Sequence, residues 1–371
     1  MQINNTLLQN GEKAVFALRA LYNSYGYAQY KMSKFEEYDF YAKNKDFLIS
    51  ENIITFTDIG GKLLALKPDV TLSIVKNANL SENEVKKVYY NENVYRVKRG
   101  DNSFKEIMQT GLECIGSIDN FLIAEVLELA LKSLAAISEG FILEVSDQSI
   151  VLRVLDLLEV SDNTKTTLIK LISEKNADEI NGILTAQNKC SKACEVLNAL
   201  VKSYGEPKQV LENLKNLSDD AVLNDLIDNL ADVLSSLPSD KIRLDFSEIN
   251  DVNYYNGIVF KGFINGIPTS VLSGGRYDPL IKKMGAEFSA IGFAVYLDLL
   301  SELSKEPEKF DIDAVVLYDE NCDYTALNEQ LNALRQTGIS VSALKIIPKR
   351  LKYKKLYKLS GKEVELIEDN A

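Results

Sequence analysis

The chain has 371 residues, of which 46% are apolar and 26% charged, and its formal net charge is −12. That composition fits an ordinary globular protein of about two or three domains, no apolar run approaches the roughly 18–20 residues of a membrane span, and the acidic balance argues against a dedicated nucleic-acid binder, because phosphate neutralisation drives that affinity. There is no histidine, which excludes histidine bases, histidine metal ligands and Ser-His-Asp triads together.

Residues 8–24 carry apolar positions at helical spacing and end before Gly26, so a helix is expected there. Tyr27–Lys34 reads as a strand, and Ile53–Asp58 with Lys62–Leu66 as a hairpin around Gly60-Gly61. Pro68-Asp69-Val70-Thr71 opens a helix to about Asn77. Lys87–Tyr95 and Glu106–Ile115 read as antiparallel strands joined by the polar loop Lys98–Ser103. An amphipathic helix, Asp119–Ile137, and a strand, Gly140–Val145, follow.

From about Asp147 to Leu237 the helical period takes over, through Thr164–Glu174, Ala177–Gln187, Ser191–Tyr204, Pro207–Asn216 and Asp219–Leu237. This stretch reads as a helical insertion. Strands return at Ile242–Phe246, Asn253–Phe263 and Pro268–Leu272, and helices at Tyr277–Met284 and Ala290–Leu303. After the charged linker Lys305–Lys309 comes a unit of about 60 residues, small for an independent core. It reads as strand Ala314–Tyr318, helix Tyr324–Gly338, strand Ser340–Ile346 and a hairpin, Lys354–Leu359 with Glu363–Ile367. The expected domains are 1–305, with the insertion at about 147–237, and 306–371.

The N-terminus lacks the basic and apolar blocks of a secretory signal. Cys114, Cys190, Cys194 and Cys322 suit reduced thiols in the cytoplasm. With no histidine and no second close cysteine pair, they read as small buried residues, and neither a metal nor a cofactor is expected.

The most informative stretch is Ser273–Leu300, SGGRYDPLIKKMGAEFSAIGFAVYLDLL. It resembles motif 3 of the class II aminoacyl-tRNA synthetases of the histidyl type, whose pattern closes Gly-Phe-Ala-x-Gly-x-Glu-Arg-Leu. Here the close is Gly292-Phe293-Ala294-Val295-Tyr296-Leu297-Asp298-Leu299-Leu300, so Leu299 stands where an arginine would hold ATP phosphates. A guanidinium offers a fixed charge and forked donors to phosphate oxygens, and leucine offers neither.

Other segments resemble the same family in order, over most of residues 1–145 and 238–303. Asn23–Phe40 resembles motif 1, the dimer-forming motif of class II enzymes, with Ser33 in place of its proline. Thr55–Thr71 resembles Phe-x-Asp-x-x-Gly … Leu-Arg-Pro-Glu-x-Thr, with Asp69 for the glutamate and Thr71 retained. Val94–Glu113 resembles motif 2, with Arg96, Phe104, Glu106, Gln109, Gly111 and Glu113 on family positions and Lys98 where a nucleotide-binding glutamate belongs. The histidyl-specific Leu-Val-Arg-Gly-Leu-Asp-Tyr-Tyr becomes Glu248–Tyr255, so its catalytic arginine is Asn250.

These residue types carry a physical reading. Arg96 can cradle a phosphate or carboxylate, and Phe104 can stack on a flat ligand. Asp69, Gln109 and Glu113 form a polar set suited to an α-ammonium group or an imidazole N–H. We expect Asp69, Thr71, Gln109, Glu113, Tyr254 and Tyr255 to line a vestigial histidine pocket, with Arg96 and Arg276 beside an anion. The run Gly274-Gly275-Arg276-Tyr277 serves either as a pocket wall or for close backbone approach. Losing both catalytic arginines argues against adenylate formation, because preorganised electrostatics is usually the largest catalytic term.

The resemblance implies an α+β fold: a class II aminoacyl-tRNA synthetase-like antiparallel sheet flanked by helices, a helical insertion, and a small C-terminal α/β unit like a truncated anticodon-binding domain. A histidyl-synthetase-like body without its arginines further resembles the regulatory subunits of ATP phosphoribosyltransferase. That likeness implies no catalysis by this chain and self-association as a dimer. The implied partner is the short-form catalytic subunit, in a hetero-octamer of four plus four. The implied role is activation and feedback by histidine in the first step of histidine biosynthesis. Two alternatives stand beside it: a divergent synthetase, and an RNA-binding module using the basic and aromatic run Lys349–Lys358. That run reads more readily as a solvated strand and turn, and a nucleic-acid partner is not expected.

Overall fold

The structure is a computed structural model describing residues 8, 10–45, 48, 53–78, 80–81, 83–97, 103–189, 191–249, 254–303 and 309–370. Lys98, Cys190 and Asn250 lie outside the described residues. The chain divides into two compact units, Met1–Ser304 and Lys305–Ala371. Among the described residues no helix is long and apolar enough to cross a membrane.

The first unit opens with α1 (Asn10–Ser24), β1 (Ala28–Gln29), β2 (Phe35–Glu37), α2 (Tyr38–Lys43), the hairpin β3 (Thr55–Thr57) and β4 (Leu63–Leu66), and α3 (Thr71–Lys76). The long strands β5 (Val85–Val97) and β6 (Phe104–Gly116) follow, then α4 (Asn120–Ile137) and β7 (Phe141–Asp147). The insertion comprises α5 (Gln148–Leu157), α6 (Asp162–Ser173), α7 (Ala177–Ala186), α8 (Lys192–Lys202), α9 (Pro207–Leu217) and α10 (Ala221–Ser235). The chain then returns through β8 (Ile242–Leu244), β9 (Ile258–Ile264), β10 (Leu272–Arg276), α11 (Asp278–Lys283) and β11 (Ser289–Tyr296), and ends in a 3-10 turn, Leu297–Leu303.

The main sheet has the order β1-β5-β6-β11-β10-β9-β7-β8. Its pairings are antiparallel except at the two edges, where β1 runs parallel to β5 and β7 to β8. Side chains alternate between faces along each strand, and the two faces meet different cores. Tyr89, Leu112, Cys114, Phe260, Leu272, Ile291, Phe293 and Val295 join the large core that includes α1, α4 and the insertion. Val88, Tyr90, Ile115 and Ala290 join a smaller core with Tyr41, Leu72, Ile74, Tyr277 and Leu280.

Helix α4 shows how the large core is built. Asp119 caps it by accepting from the Leu122 amide at 2.9 Å. Ile123, Val126, Leu127, Ala130, Leu131 and Leu134, spaced three and four apart, bury one stripe. Within the insertion, Arg153 of α5 forks onto Asp220, the N-cap of α10, at 2.9 and 2.7 Å, and two further bonds tie the insertion to this body. Lys175 reaches Asp245 at 2.6 Å, and the Leu244 amide donates to the Gly205 carbonyl at 2.9 Å.

Several expected elements need correction. Ala290–Leu303 is not a helix, because Ser289–Tyr296 is strand β11. It pairs with β6 on one side and β10 on the other, and both its faces are packed. A strand buried on both faces loses its polar alternation and reads as a continuous apolar run. The strand expected at Pro268–Leu272 instead begins at Leu272 and runs through Gly274 and Gly275, residues that weaken a strand signal. Tyr27–Lys34 contracts to the two residues of β1, and β9 begins at Ile258 rather than Asn253.

The second unit contains β12 (Ile312–Leu317), α12 (Tyr324–Gln336), β13 (Val341–Leu344), β14 (Tyr353–Ser360) and β15 (Glu363–Asp369), in the sheet order β13-β12-β14-β15. Val316, Leu327, Leu331 and Leu359 form its small core. Much of the basic run Lys349–Lys358 lies in β14, beside an acidic strand. Lys355 pairs with Asp369 at 3.4 Å, the Tyr353 hydroxyl donates to Glu368 at 2.6 Å, and Lys358 sits opposite Glu365. Opposite charges this close cancel much of the field that a nucleic acid would feel.

Gly274 tests the packing between the strands. A Cβ there would lie 2.7 Å from Phe260 Cζ and would also strike the Gly292 carbonyl and Phe293. Gly274→Ala is expected to lower stability by about 1–3 kcal/mol, the usual cost of overpacking, measured by urea unfolding.

Candidate functional site

Three rungs of the main sheet form the floor of a site on the face of the smaller core. The register aligns Glu113 (β6), Gly292 (β11) and Gly275 (β10) on the first rung. Gly111, Ala294 and Ser273 form the second, and Gln109 faces Tyr296 on the third. The glycines leave room for side chains to lie flat across the strands. A Cβ at Gly292 would collide with Glu113 Oε2 and the Leu112 carbonyl. One at Gly111 would lie 2.6 Å from the Tyr90 hydroxyl, and one at Gly275 would lie 2.7 Å from the Tyr255 ring.

Glu113 is the centre of the arrangement and only 2% exposed. It accepts from Thr71 Oγ1 at 2.7 Å and from the Tyr277 hydroxyl at 2.5 Å. Burial pushes its carboxyl up to about 8, against those two hydrogen bonds and with help from nearby Asp69. Asp69 is also raised by burial, opposed by the Leu72 amide that it accepts from at 2.9 Å and by Arg96. Both carboxyls are therefore held above their ordinary values, the buried Glu113 and the half-buried Asp69.

Tyrosines make the walls. Tyr254 and Tyr255 meet edge to face at 4.6 Å, and the Tyr254 ring lies 6.0 Å from Tyr277. The Tyr254 hydroxyl engages Thr71 and that of Tyr255 engages Ser273. Burial raises the phenols of Tyr90, Tyr254, Tyr255 and Tyr277, so they remain neutral hydrogen-bonding groups. Gln109 is 3% exposed, and its amide has no hydrogen bond among the described residues.

The structure thus gathers Asp69, Thr71, Gln109, Glu113, Tyr254 and Tyr255 with Arg96. The Arg96 guanidinium donates to the Pro68 carbonyl at 3.3 Å and engages the Tyr296 hydroxyl. Arg276 is elsewhere. By strand alternation it points to the opposite face from Gly275, where it donates to Asp278 at 2.8 Å and Ser289 at 3.0 Å. Phe104 is 74% exposed at the start of β6. Leu299 packs against the large apolar core.

The sequence does not single out Tyr90, Tyr296 or the ion pair of buried Lys67 with half-buried Glu92, 2.5 Å apart, as site residues. Alternation along β5 (Val88, Tyr90, Glu92) could have found two of them. Tyr296 needed the register of β11. Among the described residues no cluster of three or more acidic or cysteine side chains is placed to hold a metal ion.

The state of Glu113 can be tested through stability. An unfolded glutamate titrates near about 4.3, so between there and about 8 the folded chain keeps a proton that the unfolded chain releases. The stability from this group is complete below that window and is lost as pH rises through it. The stability of the wild type relative to Glu113→Gln should therefore fall from about pH 5 to about pH 8 and then level off. Urea unfolding of both proteins across that range measures it, and a flat difference would mean a carboxylate ionised throughout.

Residues 6–300 match the sequence model of the histidyl-tRNA synthetase family. The chain is 30% identical over 303 residues to the ATP phosphoribosyltransferase regulatory subunit of Thermoanaerobacter sp. (strain X514), covering 79% of this chain and 78% of that one. It is 30% identical over 290 residues to the histidine–tRNA ligase of Methanocaldococcus jannaschii, covering 76% and 68%. Its fold is similar to that of an ATP phosphoribosyltransferase regulatory subunit/histidyl-tRNA synthetase from Bacillus halodurans, with a TM-score of 0.73, 22% identity and coverage of 92% and 90%. It is also similar to a chain of the ATP phosphoribosyl transferase (HisG:HisZ) complex from Thermotoga maritima, with a TM-score of 0.60, 20% identity and coverage of 77% and 97%. On sequence and architecture together, the chain belongs to the histidyl-tRNA synthetase family, alongside the ATP phosphoribosyltransferase regulatory subunits that share this class II body.

Proposed function

We propose that this chain is a non-catalytic regulatory subunit of ATP phosphoribosyltransferase, acting in the first step of histidine biosynthesis. It activates the short-form catalytic subunit and brings feedback inhibition by histidine. The observation that carries this reading is the contrast within one site. The acids, amide and phenols that suit an amino acid are assembled around Glu113, while the phosphate-holding cation is replaced by Leu299, packed in apolar core. Buried acids and aromatic faces suit a ligand that carries an ammonium group and N–H donors, and histidine carries both. Adenylate formation needs a preorganised cation at the attacked phosphate, and leucine cannot supply one.

The effector of this reading is histidine, bound among Asp69, Thr71, Gln109, Glu113, Tyr254 and Tyr255, with Arg96 toward its carboxylate. The partner is the short-form catalytic subunit, in a cytoplasmic hetero-octamer of four plus four. This chain pairs with itself through the segment around β1 and β2, and its C-terminal unit is a shortened relative of an anticodon-binding domain. Regulation requires that histidine bind two states of the assembly unequally, since equal affinity shifts nothing. The named regulatory subunit from Thermoanaerobacter and the Thermotoga complex support this partner.

The similarity to a histidine–tRNA ligase favours a second reading, a divergent synthetase. Histidine-dependent ATP–pyrophosphate exchange separates the two: turnover supports the synthetase and its absence supports the regulator.

The direct test is ATP phosphoribosyltransferase activity of the short-form catalytic subunit, with and without this chain, during a histidine titration. Activation together with new histidine inhibition is expected, and no change in either would sink the proposal. Glu113→Ala and Gln109→Ala should each weaken histidine binding about tenfold or more, the effect of a lost buried hydrogen bond of about 1.5–3 kcal/mol to a charged group. Calorimetry measures this, and unchanged affinity in both variants would remove histidine from this pocket.

A further inference from the structure

We propose that Glu92, held in place by the buried Lys67, is a further ligand-binding residue and receives the ammonium group of an α-amino acid. This rests on the histidine-pocket reading above and assigns one more contact within it. Glu92 stands opposite Gln109 on the third rung, where Gln109 also faces Tyr296. By alternation it shares a face with Val88, Tyr90 and Val94, which belong to the smaller core. The third rung lies beyond the glycine floor, whose space the Tyr90 hydroxyl and the Tyr255 ring already take. A head group bound at Glu92 and Gln109 therefore needs no room above Gly111 or Gly275.

Lys67 is fully buried, and its ammonium meets Glu92 Oε2 at 2.5 Å. Its backbone is pinned on both sides. The Lys67 amide donates to the Lys34 carbonyl at 3.0 Å, and the Tyr95 amide donates to the Lys67 carbonyl at 2.9 Å. The next residue, Pro68, accepts from the Arg96 guanidinium at 3.3 Å. One short connector thus fixes Lys67 and engages Arg96. The Glu92 side chain is 16% exposed, and among the described residues its Oε1 accepts no hydrogen bond.

A buried ion pair is a weak source of stability, since an apolar pair of similar volume often does as well. Here its effect is geometric: the cation takes Oε2 and leaves Oε1 for another donor. The Gln109 amide also has no partner among the described residues, and neither group is sealed from solvent. Directly opposed residues on paired strands hold their Cβ atoms about 5 Å apart. A carboxylate oxygen and an amide carbonyl thus stand side by side as acceptors, with the amide nitrogen as donor. Two acceptors suit an ammonium group. The amide donor suits the carboxylate beside it, which Arg96 shares in the reading above.

The test uses the full chain and two ligands: L-histidine, and L-imidazolelactate, which carries a hydroxyl where histidine carries the ammonium. Histidine is titrated by calorimetry, and imidazolelactate in competition with it, so that weak binding still registers. Glu92→Gln is expected to weaken histidine at least tenfold, the effect of a lost hydrogen bond to a charged group, and imidazolelactate by less than threefold. Glu92→Gln alone leaves Lys67 buried without its counter-ion, so the same pattern is also read in Lys67→Met/Glu92→Gln, which removes both charges together. Wild-type histidine affinity in that double variant would overturn the proposal. So would equal losses for both ligands, which would mean that Glu92 shapes the pocket without receiving the ammonium. Failure of the wild type to bind histidine at all would overturn the pocket reading itself, and this proposal with it.

Discussion

The seat of one buried carboxylate governs the site. Glu113 lies flat across the sheet because Gly292, its partner on β11, has no side chain to lift it. From there it receives Thr71, at the start of α3, and Tyr277, just before α11. Three segments far apart in sequence converge on one group that water cannot reach. The burial that raises its pKa also makes it a demanding recognition element, since a desolvated acid favours a ligand that brings a compensating donor or charge.

That seat depends on the two faces of the sheet doing different work. One face is sealed by α1, α4 and the insertion into a large apolar core. It fixes the strand register as a packed body, and packed interiors do not deform continuously. The other face carries a smaller core and the pocket. Glycines at 111, 275 and 292 occupy the pocket face, and Gly274 the sealed face, where Phe260 and Phe293 need the space. The same strands thus combine a rigid back with a bare floor.

Binding and catalysis make different demands on such a site. Recognition of an amino acid, as proposed here, needs a few polar groups and shape, and acids, an amide and phenols stand together around Glu113. Activation needs cations placed where charge develops. Leu299 lies against apolar core instead, while its neighbour Asp298 pairs with Lys105 at 2.8 Å. Regulation through a bound effector asks only for differential affinity between states.

Much was legible in the sequence because it is local. Amphipathic periods gave the insertion and α4, and the polar positions 69, 71, 109 and 113 stand in motifs that belong together. Arg276 is expected from the sequence to stand beside an anion with Arg96, yet alternation sends it to the face opposite Gly275. β11 reads as a helix in the sequence because a strand buried on both faces carries no period of its own. Tyr90 and Tyr296 escaped notice because their place in the site is set by which residue lies across the strand pair, Gly111 for one and Gln109 for the other. The sequence by itself determined which residue types are available, the helical segments and the absence of the motif 3 arginine. Only the tertiary structure decided which face each strand residue takes and that Glu113 is dry, because register and burial arise from pairings between segments more than a hundred residues apart, such as Glu113 with Gly292.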